Sequence, residues 1–318
     1  MDREEKILLG VDDSESARQA GATAGALLKY KKNASITIFY GAPDPQVSSL
    51  TKVLRRTPKV VEEYRKVCSL QEHKILEQAH EALLGSGFSA DRVTIRGEGK
   101  CHDPAETMLK LAATDKSETI GLARSSTGRL ERMLMGSVSY RLVHCADVKT
   151  IWVIDPPIAS HDVLVALGGA AISRRIMEHA VRYFAHLKES KFTFFHVAPP
   201  LPAHCWDNTR ILSEQERKRR QEEIACWMKE YADRVREIAD EGKKRLTQAG
   251  VREENVAFKV QAVKRSMARD ILAELAEGNY GILVMGRRDS RKKGTFRLSR
   301  KANKLFHTVH DAMLCLVN

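Results

Sequence analysis

The stretch from Glu118 to Ser139, ETIGLARSSTGRLERMLMGSVS, carries the residue types that could hold a phosphate. An apolar run, Ile120 to Ala123, gives way to a small, hydroxylated, basic loop, Arg124 to Arg129, and a helical pattern follows with Gly136-Ser137 near its start. A strand end, then a loop, then a helix N-terminus is how an α/β protein turns backbone N–H groups toward an anion. Arg124, Arg129 and Arg132 would add positive charge beside the phosphate, although an arginine in such a place is more commonly just hydrated. Other reactive residue types form no constellation. In Cys101-His102-Asp103, chain neighbours do not point at one another, and Asp103 reads as a helix cap. The eleven histidines show no H-x3-H pair with an acidic companion, and the six cysteines no C-x-x-C spacing, so neither a metal centre nor a redox pair is expected.

The elements that must position the loop alternate. Residues 5–11, EKILLGV, read as a buried strand, followed by Asp12-Asp13-Ser14 and a helical pattern over 15–31. Asp12 is then either part of that helix cap or a contact to a ligand. Strands are expected at 35–40, 92–96, 118–123 and 149–154. Helices are expected over 52–84, interrupted near Thr57-Pro58, and over 103–113 and 138–145. The pattern then restarts: Asp162 to Leu167 repeats Lys6 to Val11, Phe192 to Val197 repeats the second strand, and a long charged helix spans 213–248. Strands at 256–262, 281–286 and 313–317 and helices over 267–276 and 298–307 complete the second set. The chain is a tandem duplication, and Pro156-Pro157 with the polar run after it places the boundary between residues 1–155 and 156–318.

Alternating strands and helices predict an α/β fold of two doubly wound domains, each with a mainly parallel five-stranded sheet covered by helices. Ligands of such sheets bind beyond the C-terminal strand ends, where the strand order reverses. If the first and fourth strands flank that point, Asp12 and the loop after Ala123 face one crevice.

The formal net charge of +12 makes acidic partners worth weighing: nucleotides, nucleic acid, anionic lipid. Few aromatics accompany the basic clusters, and no helix-turn-helix or zinc-finger spacing appears, so no specific nucleic-acid motif is expected. The absence of a long apolar run or an apolar leader segment predicts a cytosolic protein with reduced thiols and no membrane span. The densest charge, Arg287 to Lys304, reads as a solvated loop and helix face, with an anion or partner surface as the alternative.

Two β-α-β-α-β-α-β-α-β units, each with this opening strand, small-residue loop and closing strand, resemble tandem members of the universal stress protein family. In the first half Ile7-Leu8-Leu9-Gly10-Val11-Asp12-Asp13-Ser14 and Gly136-Ser137-Val138-Ser139 carry the likeness; in the second, Phe194-Phe195-His196-Val197 and Ile282-Leu283-Val284-Met285-Gly286. The resemblance implies ATP or a related adenine nucleotide, with Mg2+ only if it accompanies the nucleotide, held through G-x2-G-x9-G-[ST] after the fourth strand. On that pattern Ala123 and Ser126 stand where the first two glycines would be, Gly128 sits two residues further on, and Gly136 and Ser137 keep the last pair. Alanine and serine stay small beside a phosphate but lose glycine's backbone freedom. Asp12 matches the aspartate near base and sugar.

The second half departs further. Gly168 replaces the aspartate, Asp289 the second glycine, and Ser299-Arg300 the Gly-Ser pair, so nucleotide is expected in the first half only. The expected role is regulatory binding in a stress response, with protein partners or a homodimer as further partners, and with pairing of Ile151 to Ile154 against Leu314 to Val317. Two rivals remain: a weak ATPase or nucleotide-dependent phosphotransferase, and a basic interaction protein that has lost its nucleotide.

Overall fold

The protein is described from a computed structural model that covers residues 4–43, 58–101, 103–124, 137–145, 148–198, 213–287 and 298–318. The chain divides into two compact units. The first holds Met1–Ala159 together with Arg287–Ser299 and Phe306–Asn318; the second holds Ser160–Gly286 and Arg300–Leu305.

In the first unit, strands β1 (Glu5–Gly10), β2 (Ala34–Pro43), β3 (Val93–Cys101), β4 (Thr119–Ala123) and β5 (Thr150–Ile154) form a parallel sheet in the order β3-β2-β1-β4-β5. The last strand of the chain, β10 (Met313–Val317), pairs antiparallel with β5, Met313 opposite Ile154 and Val317 opposite Thr150, as the family resemblance implied for Ile151 to Ile154 and Leu314 to Val317. Both strands are continuous apolar runs because both faces are covered; every residue of each is buried.

Helices α1 (Glu15–Leu28), α2 (Pro58–Gly85), α3 (Pro104–Thr114) and α4 (Ser137–Cys145) connect these strands. α1 turns its small residues, Ala17, Ala20, Gly21 and Ala24, into the core, so it lies close to the sheet and to α2. Its start is fixed locally: Ser14 is the N-cap, and its hydroxyl accepts from the Ala17 N–H at 3.1 Å. Ser14→Ala should lower stability by about 1 kcal/mol through loss of that cap, read as a reduced urea midpoint at unchanged slope. Asp103 caps α3 as expected, accepting from the N–H groups of Ala105 at 3.1 Å and Glu106 at 3.2 Å, with Pro104 in the first turn. Cys101 is a buried thiol hydrogen-bonded to Thr107 at 3.4 Å. Of the helix expected over 52–84 and interrupted near Thr57-Pro58, the part from Pro58 is helical, and residues 52–57 lie outside the described ones.

In the second unit, β6 (Val163–Leu167), β7 (Phe192–Ala198), β8 (Val256–Ala262) and β9 (Ile282–Gly286) are parallel in the order β9-β6-β7-β8. They are joined through α5 (Ala170–Phe184), α6 (Glu214–Gln248) and α7 (Met267–Glu277). α6 opens on a capping box: Ser213 accepts from the Glu216 N–H while the Glu216 carboxylate accepts from the Ser213 N–H. A last helix, α8 (Arg300–Thr308), precedes β10.

Candidate functional site

The strand order places the point of reversal in the first unit between β1 and β4. From β1 the chain winds outward through β2 to β3, then returns to the other side of β1 as β4. Gly10 stands opposite Leu122, so the residues just after β1 and the exit of β4 at Ala123 leave the sheet side by side. Asp12, two residues beyond β1, and Ala123, the last residue of β4, therefore stand at the same strand ends. Ser137 opens α4, while Ser126, Gly128 and Gly136 lie outside the described residues, as do Arg129 and Arg132.

Asp12 is exposed, but one carboxylate oxygen, Oδ1, is engaged locally. It accepts from the Ser14 N–H at 3.0 Å and from the Ser14 hydroxyl. The cap of α1 is thus Ser14, and Asp12 holds the cap in place. Arg18 carries this turn onward: it donates to the Asp13 carbonyl at 3.2 Å, to Gln78 on α2 at 3.3 Å and to Glu15 at 2.6 Å.

Tyr40, near the same strand ends and within reach of the charges of Asp12 and Asp13, was not singled out from the sequence. It follows Phe39, whose backbone pairs with Gly10 and accepts from the Val11 N–H at 3.0 Å. Its phenol is pushed up, first by burial and then by the negative charges of Asp13, Cys68, Glu72 and Asp12. The signal available in the sequence was its place as the last aromatic of β2 before the breakers.

Arg124 is a correction. The sequence placed its charge beside the phosphate, yet Arg124 is 3% exposed and turned to other work. Its N–H continues the sheet by bonding to the Ile154 carbonyl at 2.8 Å, and its Nη2 donates to the Phe306 carbonyl in the last turn of α8 at 2.6 Å. Its Nε stands 3.4 Å from the buried Asp155 carboxylate, which also meets His310 Nδ1 at 2.9 Å. Burial lowers the Arg124 guanidinium from its usual range, and Asp155 opposes that shift. Arg287, in the matching place after β9, departs from the expected solvated basic run in the same way: it is 1% exposed, and its N–H bonds to the Val317 carbonyl at 2.7 Å. Residues 288–297 of that run lie outside the described ones.

The second unit treats its own point of reversal differently. β6 lies between β7 and β9, and Gly168 follows β6 where Asp12 follows β1. Ile172, in the first turn of α5, covers that place. A Cβ added at Gly286 would stand 2.7 Å from Ile172 Cγ1, and one at Gly168 would stand 3.1 Å from Ile172 Cγ2. Four residues after Asp12, the corresponding residue of α1 is the small Ser16. His196 at the end of β7 is buried, its Nδ1 3.1 Å from the Leu167 carbonyl, and burial lowers its pKa. Beyond β9, the Ser299 N–H is given to the Arg287 carbonyl at 3.1 Å.

Among the described residues, no group of three or more acidic, histidine or cysteine side chains is arranged to hold a metal, and no helix is long and apolar enough to cross a membrane.

Comparison with known proteins supplies the family. Among curated proteins none matches this sequence. A universal stress protein from Archaeoglobus fulgidus DSM 4304 is similar over 98% of both chains, with a TM-score of 0.63 at 15% identity. A protein of unknown function from Pseudomonas aeruginosa PAO1 is similar over 99% of this chain and 92% of its own, with a TM-score of 0.59 at 10% identity. A putative universal stress protein from Pseudomonas aeruginosa UCBPP-PA14 covers 99% and 93%, at 0.58 and 11%. At these identities the likeness shows the shared fold. The model of the universal stress protein family matches twice, over residues 4–153 and 160–315, and the chain therefore belongs to the universal stress protein family as a tandem member with two copies of its domain.

Proposed function

We propose that this protein is a cytosolic regulatory module, with family domains at 1–155 and 156–318, that binds ATP or a related adenine nucleotide in its first half. The observation that supports the reading is the register of β1 on β4, Gly10 opposite Leu122, so that Asp12 and the exit at Ala123 would border one crevice. Asp12 and Tyr40 would face base and sugar. Ala123, Ser126, Gly128, Gly136 and Ser137 would follow the phosphates to the N-terminus of α4, whose dipole and free N–H groups favour an anion. Mg2+ would enter only with the nucleotide. The second half does not fit the same ligand, because Ile172 fills the place above Gly168 and Gly286 and the Ser299 N–H is already used.

Titration with ATP, followed by calorimetry, should show one saturable site per chain. Gly136→Asp should abolish it, since a carboxylate at a helix N-terminus would stand against the phosphates. No saturable binding to the wild type at millimolar ATP would remove the proposal. Steady release of phosphate from the bound nucleotide would replace it with the ATPase reading.

A further inference from the structure

We propose that the outer edge of β3 is a self-association surface, and that its occupant is β3 of a second copy of this chain, paired antiparallel about a twofold axis at Gly97. Among the described residues β3 hydrogen-bonds to β2 on one side, and residues 94–99 are exposed over six consecutive positions. An edge of that length offers a row of unpaired N–H and C=O groups, a template for another strand.

Edges are usually defended by a lone charge or by like charges, which self-pairing would bring together. β3 carries the opposite arrangement, Arg96-Gly97-Glu98. In an antiparallel pair centred on Gly97, residue 96 stands opposite residue 98 of the other copy. Arg96 then meets Glu98 of the second copy, and its own Glu98 meets the second Arg96, on one face of the sheet. The same register sets Ile95, an exposed apolar side chain at 44%, against Gly99 of the other copy, where it would cover a residue with no side chain of its own. Moving the axis by one residue, to 96 or to 98, sets Arg96 against Arg96 or Glu98 against Glu98 and loses both ion pairs. Against registers displaced by one residue, the charge order therefore favours the one centred on Gly97, and the pair it makes is closed and twofold.

On the other face Glu72 from α2 lies across Gly97 and Gly99, where a Cβ would meet its carboxylate. The two Glu72 carboxyls would approach each other near the axis. Burial, and then the charge of Glu98, pushes each toward the neutral form that tolerates that approach. β8, the outer strand of the second unit, has the defended pattern: Lys259 is its one charged residue, held by Glu274 at 2.6 Å.

Sedimentation equilibrium of the full chain at tens of micromolar should give twice the 35.7 kDa of one chain. Arg96→Glu sets Glu against Glu at both symmetric positions and should weaken association by about tenfold or more, with an unchanged circular dichroism spectrum. Glu98→Arg should do the same, and the double exchange R96E/E98R should restore the pair to within about threefold of the wild type. A wild type that sediments as one chain, an Arg96→Glu variant that keeps the doubled mass, or a folded double exchange that stays single would each overturn the proposal.

Discussion

Arg124→Ala is expected to destabilise the first unit by about 3–5 kcal/mol, the cost of breaking a buried pair and leaving one charge behind. Asp155 would stay 8% exposed without its guanidinium, and the Phe306 carbonyl would lose its 2.6 Å donor. His310 still faces Asp155 at 2.9 Å and should hold the loss toward the lower end of that range. Arg124→Met with Asp155→Asn removes both charges at similar volume and should recover much of the stability, because replacing an entire buried pair is far cheaper than orphaning one member. Urea unfolding followed by circular dichroism at pH 7 measures both. A phosphate-contacting arginine would behave oppositely: its loss would weaken nucleotide binding and leave unfolding unchanged. A cost below about 1 kcal/mol for Arg124→Ala would restore that reading and withdraw the structural one.

Arg124 also marks the limit of what could be read from residue order. Its neighbours were legible because their causes are local. Asp103 followed by Pro104 is a cap wherever it occurs, and the uniformly apolar β5 and β10 can only be strands covered on both faces. Doubling the pattern fixed the α/β class, and the β1 and β4 runs lie side by side at the point of reversal, Gly10 opposite Leu122. The partners of Arg124 are of another kind. Asp155 lies 31 residues away and Phe306 lies 182 residues away, and neither spacing carries a periodic signal.

Ile172 was hidden for a related reason. It sits on the core stripe of an amphipathic helix, as an isoleucine should, and only the glycines at 168 and 286 reveal that it covers the strand ends. An expectation built on lost polar groups, Asp12 to Gly168, carried no steric element. β3 erred in length. It was expected over 92–96, yet it runs to Cys101, since pairing with β2 and cover from Glu72 extend it through Gly97 and Gly99.

Acidification from pH 7 to pH 5 should cost the second unit about 2 kcal/mol through His179 alone. His179 lies on α5 at 5% exposure, its ring 4.5 Å from that of Tyr183 and edge-on to Phe184 at 6.1 Å. Burial, and then the charge of Arg182, hold its pKa down at about 3 against the ordinary 6.5. A depressed histidine is neutral in the folded chain, so above pH 6.5 neither state is protonated and nothing is lost. As pH falls below 6.5 the unfolded chain takes up a proton that the folded chain refuses, and stability drops by about 1.36 kcal/mol per pH unit until the folded group titrates near 3. Between pH 7 and pH 5 the lowered carboxylates, Glu15, Asp103, Glu106 and Glu253, keep their charge, while Glu72, raised by burial, acts in the opposite sense to the histidines. His196 and His307 are lowered too, so the wild type should lose more than the His179 share. His179→Leu removes one titrating group from the same place and should shrink the pH 7 to pH 5 difference in unfolding free energy by about 2 kcal/mol, whatever it does to stability at pH 7. An unchanged difference would mean that the folded chain protonates His179 as readily as the unfolded one, and that α5 opens to water at that turn.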